Sequence, residues 1–230
     1  MAAARKAHVQ GAYHRDMDVR LHFLGVPFAE QQGARVEIRP ARPALLLLYL
    51  AWHGDWLSRE SLAWLFRPAD DEERARTNLR LLLSRARKYP WAAGIEVERN
   101  RLRFRAATDL AGPVTRGSTP PQFLAGWSAE AELGDWLEVQ RADFRERWRD
   151  RSMSEAHHLE ETGRHAEALD ILGELLDDDP LAEDALQAYL RSSAHTTARQ
   201  QGRQRYLEFS RQLRAELGLE PLEETRLLAE

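Results

Sequence analysis

The chain has no cysteine, which excludes disulfide frameworks, thiol catalysis and cysteine-ligated zinc. Its longest apolar run, Ala44 to Trp52, is nine residues, against the roughly 20 that a membrane span needs. The N-terminal stretch Met1-Ala-Ala-Ala-Arg-Lys-Ala-His-Val-Gln lacks an apolar core segment and does not read as a secretory signal. There is no glycine-rich phosphate loop, no Ser-His-Asp order and no paired catalytic carboxylate pattern, so neither an enzyme nor a cofactor is expected. A reducing, cytoplasmic home fits these absences. What remains is 230 residues, 43% hydrophobic and 30% charged. That is enough for two ordinary domains of about 100 residues, each with a core.

The formal net charge of −4 conceals an uneven distribution. Residues 1–110 hold 19 Lys/Arg against 13 Asp/Glu, whereas 111–230 hold 14 against 24. Between Arg74 and Arg105 ten basic residues face only Glu96 and Glu98. Such asymmetry suggests a basic module that faces nucleic acid, joined to an acidic one. The plainer reading is two solvated surfaces with arginine unevenly shared.

Residues 1–18 read as a loose polar tail. Val19, Leu21 and Phe23 then alternate with polar neighbours, Phe28 opens a second short run, and Ala34, Val36 and Ile38 alternate again, as half-buried strands do. Gln31-Gln32-Gly33 reads as the hairpin turn, so a small antiparallel sheet is expected. Pro40 and Pro43 precede a helix over Ala44 to His53 that is apolar nearly all round and closed by Gly54. Ser58 caps a second helix, which Pro68 stops. A third begins within Asp70-Asp71-Glu72-Glu73 and is expected to run to Tyr89, before Pro90. Ile95 to Arg105 reads as a second hairpin with its tip at Arg99-Asn100. Strands, three helices and a hairpin are the plan of a winged helix-turn-helix, here over 19–110.

A Gly/Pro/Ser/Thr-rich linker at 111–120 follows, and 121–230 is helical in pattern. Leu133, Trp136, Leu137, Phe144 and Trp148 form one stripe of a long helix that reaches toward Glu161. Further helices are expected over Ala166 to Leu176, Leu181 to Arg191, Ala198 to Leu217 and, after Pro221, through Leu228. Gly163, Ala168, Leu172 and Pro180 have tetratricopeptide spacing, and a step of 34 residues sets Gly202 opposite Ala168 and Tyr206 opposite Leu172. Generic helix packing produces the same residue types. The fold class expected is therefore an α+β winged helix-turn-helix with a small antiparallel sheet, followed by an all-α tetratricopeptide-like domain.

The third helix carries the chemistry. At about 100° per residue, Ala75, Leu79, Leu82, Leu83 and Ala86 gather toward the core. Thr77, Arg80, Leu81, Ser84, Arg87 and Lys88 gather on the opposite side, with Arg76, Asn78 and Arg85 on the flanks. Guanidinium forks suit guanine O6 and N7, an amide suits adenine, and an apolar side chain suits the thymine methyl. Arg and Lys at the margins suit phosphates. The hairpin tip Arg99-Asn100-Arg101, with Arg103 and Arg105 behind it, is placed to reach a neighbouring groove or backbone. The carboxylates of Asp70 to Glu73 work against this by repelling phosphates that come close.

Other clusters carry less. His157-His158 with Glu160, Glu161 and His165 do not complete a metal shell by their spacing, and Asp177-Asp178-Asp179 lacks the glycine and distal glutamate of a calcium loop. Trp52, Trp56 and Trp64 are expected in the core rather than as base-stacking platforms.

Val19 to Arg105 resembles the winged-helix domain of OmpR/PhoB-type regulators through Phe23-Leu24-Gly25, Leu57-Ser58-Arg59-Glu60-Ser61-Leu62, Asn78-Leu79-Arg80 and Ser84-Arg85-Ala86-Arg87-Lys88. The whole chain resembles the Streptomyces antibiotic regulatory protein family, through these residues together with Glu130 to Arg141, Asp179-Pro180-Leu181 and Leu213 to Pro221. The resemblance implies a transcriptional activator whose second half is a bacterial transcriptional activation domain. Double-stranded DNA and RNA polymerase would be its partners, and a homodimer through the helical domain is a further possibility. It places Thr77, Asn78, Arg80, Ser84, Arg85, Arg87 and Lys88 at groove-facing or phosphate-facing positions. The hairpin departs from the family pattern in lacking the usual Gly-Tyr pair. The rival reading is a tetratricopeptide interaction module whose winged helix binds no DNA.

Overall fold

In a computed structural model of the chain, residues 19–67, 71–110, 122–129 and 131–230 are described. The tail 1–18, the linker 111–120 and the expected helix stop at Pro68 lie outside them. The described residues divide into two compact units, those within 19–110 together with 122–141, and 142–230.

In the first unit, β1 (Val19–His22), β2 (Phe28–Gln31) and β3 (Ala34–Glu37) form an antiparallel meander that buries Val19, Leu21 and Ala29. Gln32 and Gly33 both take positive φ, 52° and 77°, the two-residue turn whose twist matches its strands. The sheet is not wholly antiparallel, however. A short β7 (Ala107–Thr108) lies parallel to the free edge of β1, giving the order β3-β2-β1-β7. Two residues are too few to show alternation in the sequence. The pairing is fixed by Asp109, whose carboxylate accepts hydrogen bonds from the Phe23 N–H at 2.9 Å and the Leu24 N–H at 3.3 Å. Asp109→Ala strands both donors and is expected to lower the stability of this unit by about 1–3 kcal/mol, read from its urea midpoint.

Helix α1 (Arg42–His53) has Pro43 in its first turn and ends at Gly54, whose left-handed N–H bonds to the Leu50 carbonyl at 3.0 Å. Leu45, Leu46, Leu47 and Leu48 are all buried, so α1 is the floor of the unit. A strand the sequence does not announce, β4 (Leu57–Ser58), joins β5 (Ile95–Val97) and β6 (Arg101–Phe104) in the order β4-β6-β5. The second hairpin is thus the outer part of a three-stranded wing. Ser58 also caps α2 (Arg59–Phe66), its Oγ accepting from the Ser61 N–H at 3.0 Å.

Helix α3 (Glu72–Ala86) starts at the Asp71 cap, where Oδ1 accepts from the Arg74 N–H at 2.9 Å. It stops at Ala86 rather than at Tyr89. Pro90 forces Tyr89 to an extended conformation (φ −70°, ψ 135°). The chain tightens ahead of it through Lys88 N–H to Arg85 and Tyr89 N–H to Ala86 carbonyls. A 3-10 turn, Pro90–Ala92, then leads into the wing.

The tryptophans are less uniformly buried than expected. Trp52 and Trp56 are half-buried and Trp64 is 43% exposed, because α2 turns Leu62, Ala63 and Phe66 inward and leaves Trp64 outside. The start of α4 (Ala131–Glu161) belongs to this unit: Trp136 meets the rings of Tyr49, Trp52 and Phe123 at 5.0, 5.5 and 5.6 Å. Arg141 donates to the carbonyls of Phe123, Leu124 and Trp127.

The second unit holds the rest of α4 with α5 (His165–Asp178), α6 (Glu183–Ala194), α7 (Arg199–Leu217) and α8 (Glu223–Leu228). Helix α6 begins two residues later than expected. Asp179 Oδ1 accepts the Leu181 N–H at 3.0 Å and its carbonyl takes that of Ala182, so both residues stay in a turn. Ala168 and Leu172 are fully buried, and Gly202 lies so close to α6 that a Cβ would sit 2.5 Å from Ser193 Oγ. The small residues at the repeat positions therefore do permit close helix approach. Glu183 clamps α8, accepting from the Leu222 N–H at 2.7 Å and the Thr225 hydroxyl at 2.6 Å. Among the described residues no helix is long and apolar enough to cross a membrane.

Candidate nucleic-acid interface

The amphipathic pattern of α3 is realised in its packing. Ala75, Leu79, Leu83 and Ala86 are buried, and Leu82 is half-buried. Arg76, Thr77, Arg80, Leu81, Ser84 and Arg85 are exposed on the helix, and Arg87 and Lys88 are exposed in the turn after it. Leu81 is 54% exposed, an apolar contact with no place in the core of this unit.

The cations differ in what holds them. Arg74 pairs with Asp71 at 3.3 Å, and Arg76 is drawn back by one turn to Glu72. Those two pairs offset part of the acidic cap, which the sequence presents as a repulsive feature. Arg80, Arg85, Arg87 and Lys88 make no ion pair within the unit among the described residues. Asn78 is half-buried and lines, with Arg42, Arg67 and Arg85, a cleft of about 180 Å³ floored by Phe66, Leu79 and Leu82. Arg42 and Arg67 were not singled out from the sequence; they stand alone among uncharged or apolar neighbours, and only the fold brings them to Arg85.

The wing is organised differently. Arg99 and Asn100 form its exposed tip, and the Asn100 carbonyl accepts the Arg59 N–H at 2.9 Å, tying the tip to the start of α2. Arg101 is engaged by Glu98, with Nε to Oε2 at 2.7 Å and Nη2 to Oε1 at 3.2 Å. Arg103 and Arg105 share Glu96 at 2.6 and 3.0 Å. Trp56 lies under two of them, its ring 4.6 Å from the Arg101 guanidinium and 4.4 Å from that of Arg103. Of the four wing arginines, Arg99 therefore makes no ion pair among the described residues. Trp56 acts as a platform for arginine, a role hidden because its partners are 45 and 47 positions away in sequence.

Three helices with an outward third helix, followed by a three-stranded wing, define a winged helix-turn-helix, here joined to a tetratricopeptide-like helical half. The sequence profile described as "Bacterial transcriptional activator domain" matches residues 80–230. The chain belongs to that family. The fold is similar to that of Mycobacterium tuberculosis EmbR, solved in complex with a low-affinity phosphopeptide, with a TM-score of 0.64 at 14% identity. The likeness covers 92% of this chain but only 64% of EmbR, and it bears on the fold alone. No curated protein matches the chain in sequence.

Proposed function

We propose that the chain is a transcriptional regulator of the Streptomyces antibiotic regulatory protein type that binds double-stranded DNA with α3 in the major groove. In this reading residues 19–110 read the site and the helical half contacts RNA polymerase, in the cytoplasm, as an activator. The observation that carries it is the outward face of α3, where Thr77, Arg80, Leu81, Ser84 and Arg85 are exposed and, among the described residues, no carboxylate of the unit engages Arg80 or Arg85. These groups match the donor, acceptor and methyl pattern of base edges. Arg87 and Lys88, in the turn below, are suited to phosphate and to fixing the register. Polymerase contact and self-association rest on the family resemblance.

The test is selection of bound fragments from genomic DNA with the purified chain, followed by titration of a selected duplex at several salt concentrations. Affinity is expected to fall steeply with salt. Arg80→Ala and Arg87→Ala are each expected to weaken binding by about 1–3 kcal/mol, with a salt slope shallower by about one where a phosphate contact is lost. Binding that ignores salt, or that both variants leave unchanged, would make the interaction-module reading the better one. A cleft of about 440 Å³ in the helical half, lined by Leu176, Arg205 and Phe209, is the feature that favours that rival.

A further inference from the structure

The wing of a DNA-reading fold is expected to offer free cations, yet here three of its four arginines are already paired with its own two carboxylates. The two carboxylates are not equivalent. Glu96 is shared between Arg103, whose side chain is 17% exposed, and Arg105, so that it is built into the wing's base. Glu98 lies next to the tip, holds Arg101 alone, and both partners are about half exposed. Its two-pronged grip occupies the same guanidinium edge that would take two oxygens of a phosphate. Trp56 meanwhile carries Arg101 from another side, so losing the carboxylate does not leave the side chain unsupported.

We propose that Glu98 is a built-in competitor for Arg101: on docking, Arg101 exchanges the Glu98 carboxylate for a DNA backbone phosphate while it stays seated on Trp56. This rests on the DNA reading above and assigns a positioning role to Glu98 and Trp56. An exposed pair of this kind is weak, because water and salt screen it, so the exchange costs little and tunes affinity rather than gating it. The hydrogen bonds from Arg101 hold the Glu98 carboxyl below its ordinary range, so the competitor is ionised at neutral pH. Asp55 also acts on Arg101 through its charge, and Arg103 on Glu98. These are the neighbouring charges that remain when Glu98 is neutralised.

A double-mutant cycle on the full chain, using a labelled duplex from the selection, tests the exchange. Glu98→Gln keeps the size and removes the charge, and it is expected to tighten binding about two- to fivefold. In an Arg101→Ala background the same substitution is expected to change nothing, because there is no cation left to release. Equal tightening in both backgrounds would mean that Glu98 only repels the duplex, and would overturn the exchange. So would equal affinities of Glu98→Gln and wild type while Arg80→Ala still weakens binding, and this result would leave the DNA reading intact. Absence of any salt-dependent duplex binding by the wild-type chain overturns the DNA reading itself and this inference with it.

Discussion

Gly94→Ala is expected to cost the first unit roughly 3 kcal/mol and to loosen the wing. A Cβ on Gly94 would lie 2.0 Å from the Arg105 carbonyl oxygen, 2.9 Å from Phe104 Cε2 and 3.1 Å from the Arg105 carbonyl carbon. Two of these three atoms are backbone, so no rotamer change relieves the clash. The strands must separate instead, which breaks the hydrogen bond from the Arg105 N–H to the Gly94 carbonyl at 3.0 Å. Urea unfolding followed by tryptophan emission suits the measurement, because six of the seven tryptophans lie in this unit. A midpoint equal to that of the wild type would show that the wing absorbs the methyl group.

Trp91→Ala is expected to be at least as damaging, at about 3–5 kcal/mol. Trp91 is 1% exposed, stacks on Tyr89 at 5.1 Å and meets Phe104 of β6 at 6.3 Å. It lies in the 3-10 turn between α3 and the wing, so its removal opens a cavity at the joint of the two proposed reading elements. Because the substitution also removes a fluorophore, far-UV circular dichroism against urea is the appropriate measure. Trp91→Phe, which retains an aromatic ring, is expected to recover much of the loss.

The parts of this fold that follow a strong local period were legible in the sequence. The α1 apolar run with its terminal glycine, the Ser58 cap, the start of α3 within the acidic run and the Gln32-Gly33 turn each depend on residues within a few positions of one another, and each stands where the pattern placed it. The inward face of α3 was equally plain. What stayed hidden depends on long-range pairing. Strands β4 and β7 are two residues each and exist because β6 and β1 offer them an open edge. Asp109 reads as an ordinary acidic residue until the fold carries it to the backbone of Phe23 and Leu24. At the candidate site, exposure along α3 followed from helical geometry. The state of the wing arginines did not: alternation alone puts Glu96 and Glu98 near them without saying that they bind them.

Helix α3 and the wing are joined through one short connection, Tyr89, Pro90 and Trp91, anchored by the buried Trp91 ring stacked on Tyr89. Evolution therefore has little freedom to re-aim one of these elements against the other. On the DNA reading proposed above, sister proteins that recognise new operator sequences would have to diverge by exchanging solvent-facing side chains on an inherited chassis. Target preference should then be transplantable between them by grafting the few residues at positions 77, 80, 81, 84 and 85, with the foundation left untouched.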